Sequence, residues 1–228
     1  MRKSKIRIMI ILSIILFFMG SIYVTVNMGM EEFETNTVLK HPEDNICNML
    51  YLNGESLEYT VIKNFLTDEF CDDFLDYSKQ YAKANGWTKK RHVNYPTTDN
   101  SITEGWPQHE FITSVVRTKI FDAISKMYPV LVEDLGIIEM FVVKYEPSKQ
   151  SFLKEHKDGS EFSFVIALND DYEGGGTYFP NLKELVKLNK GDVLIFSGQN
   201  THKGEPVIEG SRYILTGFIF YKEKDYCE

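Results

Sequence analysis

The 228-residue chain carries 25 Lys+Arg against 33 Asp+Glu, a net charge of −8, with 16 Phe and 13 Tyr but only three Cys. The acidic balance argues against a nucleic-acid-binding surface, which needs a basic excess, and the aromatic content against a disordered chain. Three cysteines are too few for a disulfide scaffold and lack zinc-site spacing.

Arg2, Lys3, Lys5 and Arg7 are the only charges in the first 30 residues, so the remainder holds 21 basic and 33 acidic groups, a net of −12. From Ile8 to Val26 run 19 residues without a charge. As a helix this stretch spans about 28 Å, close to the hydrocarbon thickness of a bilayer. Apolar residues on every face argue against a buried core helix. The length favours a signal anchor over a cleaved signal peptide, for which Gly20-Ser21 is the nearest approach to a cleavage site. Cationic residues before the span and acidic ones after it predict a single-pass type II membrane protein. Its domain is then lumenal (endoplasmic reticulum or Golgi) or extracellular. In an oxidising compartment Cys47, Cys71 and Cys227 allow one intramolecular disulfide, whose pairing is open.

Residues 1–27 thus read as a cytoplasmic tip and anchor, 28–57 as a stalk or pre-domain segment, 58–222 as one domain and 223–228 as a tail. Tyr59–Asn64 is a short strand-like run. Thr67 predicts a helix N-cap, with Asp68, Glu69, Asp72 and Asp73 in the first turns and Lys79 and Lys83 in the last, matching the helix dipole. Phe70, Phe74, Tyr77 and Tyr81 keep helical spacing, and Asn85-Gly86 ends the helix. A second helix is predicted over Glu110–Tyr128, stopped by Pro129. Thereafter Met140–Tyr145, Phe162–Leu168, Thr177–Phe179, Asp192–Ser197 and Tyr213–Tyr221 are β-rich runs between turn residues. The order predicts an α+β, mainly β domain with a closed or two-layered β core and helices packed outside.

Within the β-rich half, His156 and Asp158 stand two apart, and in a strand such residues point to one face. By itself the pair reads as a solvated surface feature. His202 follows 46 residues later, inside the turn GQNTHKGEP after the apolar run Asp192–Ser197. Two histidines and a carboxylate form a facial triad that leaves the other face of an octahedral metal open, which suits iron(II). Zinc competes for the same donors. Arg212 opens the strand RYILTGFIFY, where an unpaired guanidinium is costly. Either Glu205 or Glu209 pairs with it, or its planar fork binds a carboxylate ligand. A dicarboxylate that chelates the metal at one end and meets Arg212 at the other matches 2-oxoglutarate.

The run from Lys144 to Ile219 resembles the 2-oxoglutarate and iron(II)-dependent dioxygenases of the prolyl 4-hydroxylase and procollagen lysyl hydroxylase group. HKDGSEFSFVIALN, DYEGGGTYF, THKGEP and GSRYI are similar to the catalytic domain of procollagen lysyl hydroxylases, as are NYPTTDNSI and VVKYEP. FLTDEFCDDFLDYS resembles the helix that precedes the core in prolyl 4-hydroxylases. The resemblance implies a double-stranded β-helix (jelly roll) with N-terminal packing helices. It implies His156, Asp158 and His202 as metal ligands, Arg212 on the distal carboxylate of 2-oxoglutarate, and Tyr145 and Thr177 in the same pocket. It further implies Fe(2+), O2 and ascorbate, a peptide or protein substrate hydroxylated at a prolyl or lysyl side chain, and release of succinate and CO2. A free amino acid, glycan or small molecule is the alternative substrate, and a catalytically silent jelly-roll binding module the alternative class. Histidine ligands must be neutral to bind metal, so iron affinity is expected to fall below pH ~6.

Of the remaining histidines, His41 reads as solvated, while His92 and His109 lie in loop-like stretches suited to a substrate groove. Lys89–His92 is the one local basic patch after the anchor and reads as a solvated loop.

Overall fold

The computed structural model describes residues 33–35, 59–89, 91–92, 94–128 and 130–222. The Ile8–Val26 span, His41, Cys47 and Cys227 lie outside these residues. Among the described residues no helix is long and apolar enough to cross a membrane.

Helix α1, Asp68–Asn85, starts where Thr67 Oγ1 accepts the Phe70 N–H at 3.2 Å and ends at Gly86 with φ +82°. The second helical run comprises α2 (His109–Val115), a π-helical turn (Val116–Ile120) and α3 (Phe121–Met127). The strands are β1 (Phe33–Thr35), β2 (Tyr59–Ile62), β3 (Asp99–Ser101), β4 (Leu135–Tyr145), β5 (Leu153–His156), β6 (Phe162–Ala167), β7 (Glu173–Gly174), β8 (Thr177–Phe179), β9 (Glu184–Val186), β10 (Val193–Ser197), β11 (His202–Gly204), β12 (Val207–Glu209) and β13 (Arg212–Tyr221). A seven-stranded antiparallel sheet runs β1-β2-β10-β6-β13-β4-β3, a four-stranded sheet β5-β11-β8-β9, and β12 pairs with β7. The domain is mainly β, consistent with a jelly roll. Strand β1 falls within the segment expected to precede the domain.

The large sheet is covered on both faces, which is why β6 reads FSFVIA with every residue buried. Phe162, Phe164 and Ile166 face one core with Val193, Ile195 and Leu215 of neighbouring strands. The helical residues Cys71, Phe74, Leu75, Ile112, Ile120 and Ile124 close that core. The alternate residues, Val165 and Ala167 with Phe141, Val143, Leu194, Phe196 and Ile214, face Phe179 and Val186 of the small sheet. Each fully buried aliphatic or phenyl side chain stabilises this arrangement by about 1.5–3 kcal/mol. Between Phe218 and Ile219 the β13–β4 register skips one residue of β4. The extra residue is Ile138, which is half exposed (50%). The bulge reverses the facing of β4, so Leu135 and Ile137 as well as Met140 and Val142 turn to the helical side.

Cys71 is a free thiol, fully buried in α1. Burial pushes its pKa up to about 12, and the thiolate is the reactive form. Iodoacetamide at pH 8 is therefore expected to label Cys71 only after unfolding, as read by peptide mass. Labelling of the native chain at the unfolded rate would show that α1 opens.

Candidate active site

His156 ends β5, and His202 begins β11 directly opposite it in the antiparallel register. Asp158 lies in the loop after β5, held by its N–H donating to the Gly198 carbonyl at 2.8 Å. Two features therefore differ from the reading of the sequence. Asp158 converges through a tethered turn and not through strand alternation, and His202 sits in a strand and not in a turn.

His156 Nδ1 lies 2.8 Å from the Lys154 carbonyl and His202 Nδ1 2.8 Å from the Asn200 carbonyl. A carbonyl only accepts, so each Nδ1 carries the proton and each Nε2 is left to face Asp158. His156 Nε2 stands 3.4 Å from Asp158 Oδ1, and His202 Nε2 3.7 Å from Asp158 Oδ2. The three donor atoms lie within 4.8 Å of one another. Two lone pairs and a carboxylate so placed repel each other unless a proton or a cation comes between them. Burial pushes the His202 imidazole below its ordinary value, against the pull of Asp158. Burial thus disfavours a proton on His202, and a metal cation would relieve the repulsion. The donor set fits iron(II).

Burial alone would raise the Asp158 carboxyl, but the His202 and His156 imidazoles and the Ser163 hydroxyl outweigh it and hold it below the usual carboxylate range. Ser163 Oγ donates to Asp158 Oδ2 at 2.6 Å. Such outer partners orient a ligand, and losing one costs about 10–100-fold in metal affinity. Ser163→Ala is expected to weaken iron binding by that factor, measured by competition with a chelator. Unchanged affinity would show that the hydroxyl does not orient the carboxylate.

The triad opens into a cavity of 310 Å³ that also receives Arg212, Tyr145 and Thr177. Arg212 and Tyr145 are register partners on β13 and β4, and Thr177 starts β8. Ile214, Thr216 and Phe218 follow Arg212 at alternate positions along the same wall. Arg212 is 3% exposed. Its Nη1 donates to the Gly176 carbonyl at 3.3 Å, while its Nε is buried without a partner. Among the described residues no ion pair reaches it, and Glu205 pairs with Lys203 at 2.8 Å. The internal partner considered from sequence is thus not used. Burial pushes the Tyr145 hydroxyl up to about 12, against the opposing charge of Arg212, so it stays a donor.

His92 lines the cavity, with its ring 4.9 Å from that of Phe141. His109 borders a separate surface groove beside Trp106 and Arg117. Arg91 is not solvated as the basic patch suggested. It pairs with the buried Asp99 at 3.0 Å and with Glu139, and lies over the Phe141 ring. Asn94, Tyr95 and Thr97 join the cavity wall, with the Tyr95 ring 4.9 Å from His156. Nothing in their own residue types singles them out. Only their place in NYPTTDNSI pointed to this region.

Residues 137–220 match the model of the 2OG-Fe(II) oxygenase superfamily. Procollagen-lysine,2-oxoglutarate 5-dioxygenase 1 of Rattus norvegicus is 32% identical over 168 residues, covering 67% of this chain and 22% of that protein. The chain thus spans about a fifth of the length of the curated relatives it matches. Among solved structures, a prolyl hydroxylase from Trichoplax adhaerens, in complex with a hypoxia inducible factor peptide fragment, superposes with a TM-score of 0.60. It is 18% identical and covers 80% of this chain and 91% of its own. A viral collagen prolyl hydroxylase from Paramecium Bursaria Chlorella virus-1, in its 2OG complex, gives a TM-score of 0.54 at 21% identity, covering 71% and 94%. The last two likenesses show a common fold.

Proposed function

We infer the reaction from one premise: this chain carries a 2OG-Fe(II) oxygenase domain homologous to the procollagen lysine hydroxylases. The reading is a dioxygenase that hydroxylates an unactivated C–H bond, at a prolyl or lysyl side chain of a peptide. O2 is the oxidant: brought together with 2-oxoglutarate at iron(II), it would give one oxygen atom to the cosubstrate, which is split to succinate and CO2, and the other to the substrate C–H bond.

The observation that carries this reading is Arg212, a buried cation without a carboxylate partner, facing the same cavity as the metal-ligand cluster. His156, Asp158 and His202 would hold the metal, with both imidazoles fixed by their Nδ1–H bonds. Arg212 would take the distal carboxylate of 2-oxoglutarate, and the Tyr145 O–H would donate to it. Thr177 would line the same end. Phe141, Val143, Phe196 and Ile214 keep water out and strengthen these charge contacts. His92, Asn94 and Tyr95 stand where a substrate side chain would enter. The uncharged Ile8–Val26 stretch supports a membrane anchor with the domain on the lumenal or extracellular side.

The substrate is tested by succinate release from a panel of prolyl and lysyl peptides, free amino acids and glycans, with product masses. Peptide-dependent succinate with a 16 Da gain on proline or lysine supports the reading. Turnover confined to free amino acids or glycans would replace the substrate and keep the chemistry. No stimulation by any of them, with iron loaded, would contradict it.

A further inference from the structure

The turn before β8 carries an inference that rests on the cosubstrate reading above. Gly174, Gly175 and Gly176 have φ of +81°, +62° and +110°, three consecutive residues in the region that favours glycine. A Cβ on Gly175 would stand 2.9 Å from a Tyr172 ring carbon and 3.1 Å from Cδ of Arg212. A methyl group at Gly175 would therefore press on both that ring and the arginine stem. The turn is also held from behind. Gly175 N–H donates to the Pro206 carbonyl at 2.8 Å, and Glu205 N–H to the Gly176 carbonyl at 3.1 Å. The same Gly176 carbonyl accepts Arg212 Nη1. On another side the guanidinium carbon lies 5.6 Å from the centre of the Tyr145 ring. The stem, one Nη and one face of the guanidinium are thus fixed by groups that carry no opposite charge.

We propose that Gly175, backed by Tyr172, is a positioning residue that sets how far from the metal ligands Arg212 presents its charge. The turn thereby selects a 2-oxo acid whose second carboxylate lies at the right distance from its chelating end. Gly175→Ala pushes the stem away or tilts the turn, and the penalty falls only on ligands that have a second carboxylate to misplace.

The test uses the full-length, iron(II)-loaded chain without oxygen and two ligands measured by calorimetry. 2-Oxoglutarate has both ends, whereas 2-oxobutyrate has the chelating end alone. Gly175→Ala is expected to weaken 2-oxoglutarate at least tenfold, leaving 2-oxobutyrate affinity and iron content unchanged. Where Gly175→Ala does not fold, Tyr172→Leu decides, since it removes the backing ring and leaves the glycine backbone intact. It is expected to produce the same ligand-selective weakening. Equal weakening of both ligands, or of neither, overturns the proposal. A wild-type chain that binds the two ligands equally well overturns the cosubstrate reading itself, and the positioning role with it.

Discussion

Replacing His202 by alanine is expected to abolish 2-oxoglutarate turnover and to cost more iron affinity than any outer change around the site. The imidazole supplies one of three protein donors, and its Nε2 is aimed at the shared point by the Nδ1 contact with the Asn200 carbonyl. Loss of an outer hydrogen-bond partner costs about 10–100-fold; loss of a donor exceeds that, because nothing nearby replaces it. Among the described residues His156 and Asp158 are the only other members of the cluster. The fold should tolerate the change, since the ring packs against Phe196 and Phe179 of the second core while the helix-covered core lies on the other face of the large sheet. Iron content after gel filtration and succinate release measure the outcome. Full iron retention with normal turnover would remove His202 from the site.

Arg212→Met is expected to separate cosubstrate binding from folding. Truncating one side of a buried, hydrogen-bonded charge pair costs about 2–5 kcal/mol, or roughly 30- to 4,000-fold in affinity for 2-oxoglutarate. The ligand-free protein should lose little stability or gain some, because a buried charge replaced by an apolar side chain of similar volume is often neutral or stabilising. Wild-type protein at 100 times the dissociation constant gains about 2.7 kcal/mol from ligand, and the variant at that concentration should gain at most about 0.9 kcal/mol, the value left by a roughly 30-fold loss. Thermal unfolding with and without 2-oxoglutarate reads both effects. A ligand-free variant destabilised by the ~3–5 kcal/mol typical of a broken buried ion pair would show that Arg212 has an internal counter-charge.

Much of the framework was legible because it is written in burial. Helix α1 announced itself through Thr67, its acidic first turn and Gly86, and the core strands β6, β10 and β13 through continuous apolar runs. The small sheet was legible only at β8, which matches the predicted run Thr177–Phe179. Strand β5 reads LKEH and β11 reads HKG, short and partly exposed, with no alternating pattern to detect. These strands carry the histidines, so the candidate ligands were picked out by residue type and order while the local geometry of Asp158 and His202 was misassigned. The groups packed around the candidate ligands escaped for another reason. Ser163 lies in an all-buried strand and looks like core, and its role follows only from the 2.6 Å contact with Asp158. Tyr95 reaches His156 across 61 residues of sequence, a proximity that no local pattern encodes.

The pH expectation is sharpened by the same burial. Burial pushes His202 below the ordinary histidine value, so its proton competes with metal at lower pH than that of a solvated imidazole. Iron affinity set by that ring should persist below the pH ~6 expected for a solvated imidazole.

The central claim joins two halves of one cavity, a metal held by His156, Asp158 and His202 and a 2-oxo dicarboxylate held by Arg212. The direct measurement is the visible absorption of the full-length chain titrated with iron(II) and then 2-oxoglutarate in the absence of oxygen. A charge-transfer band that needs both components, is lost in His202→Ala and is weakened in Arg212→Met is the predicted result. An iron-loaded wild-type chain that shows no such band at saturating 2-oxoglutarate would contradict it.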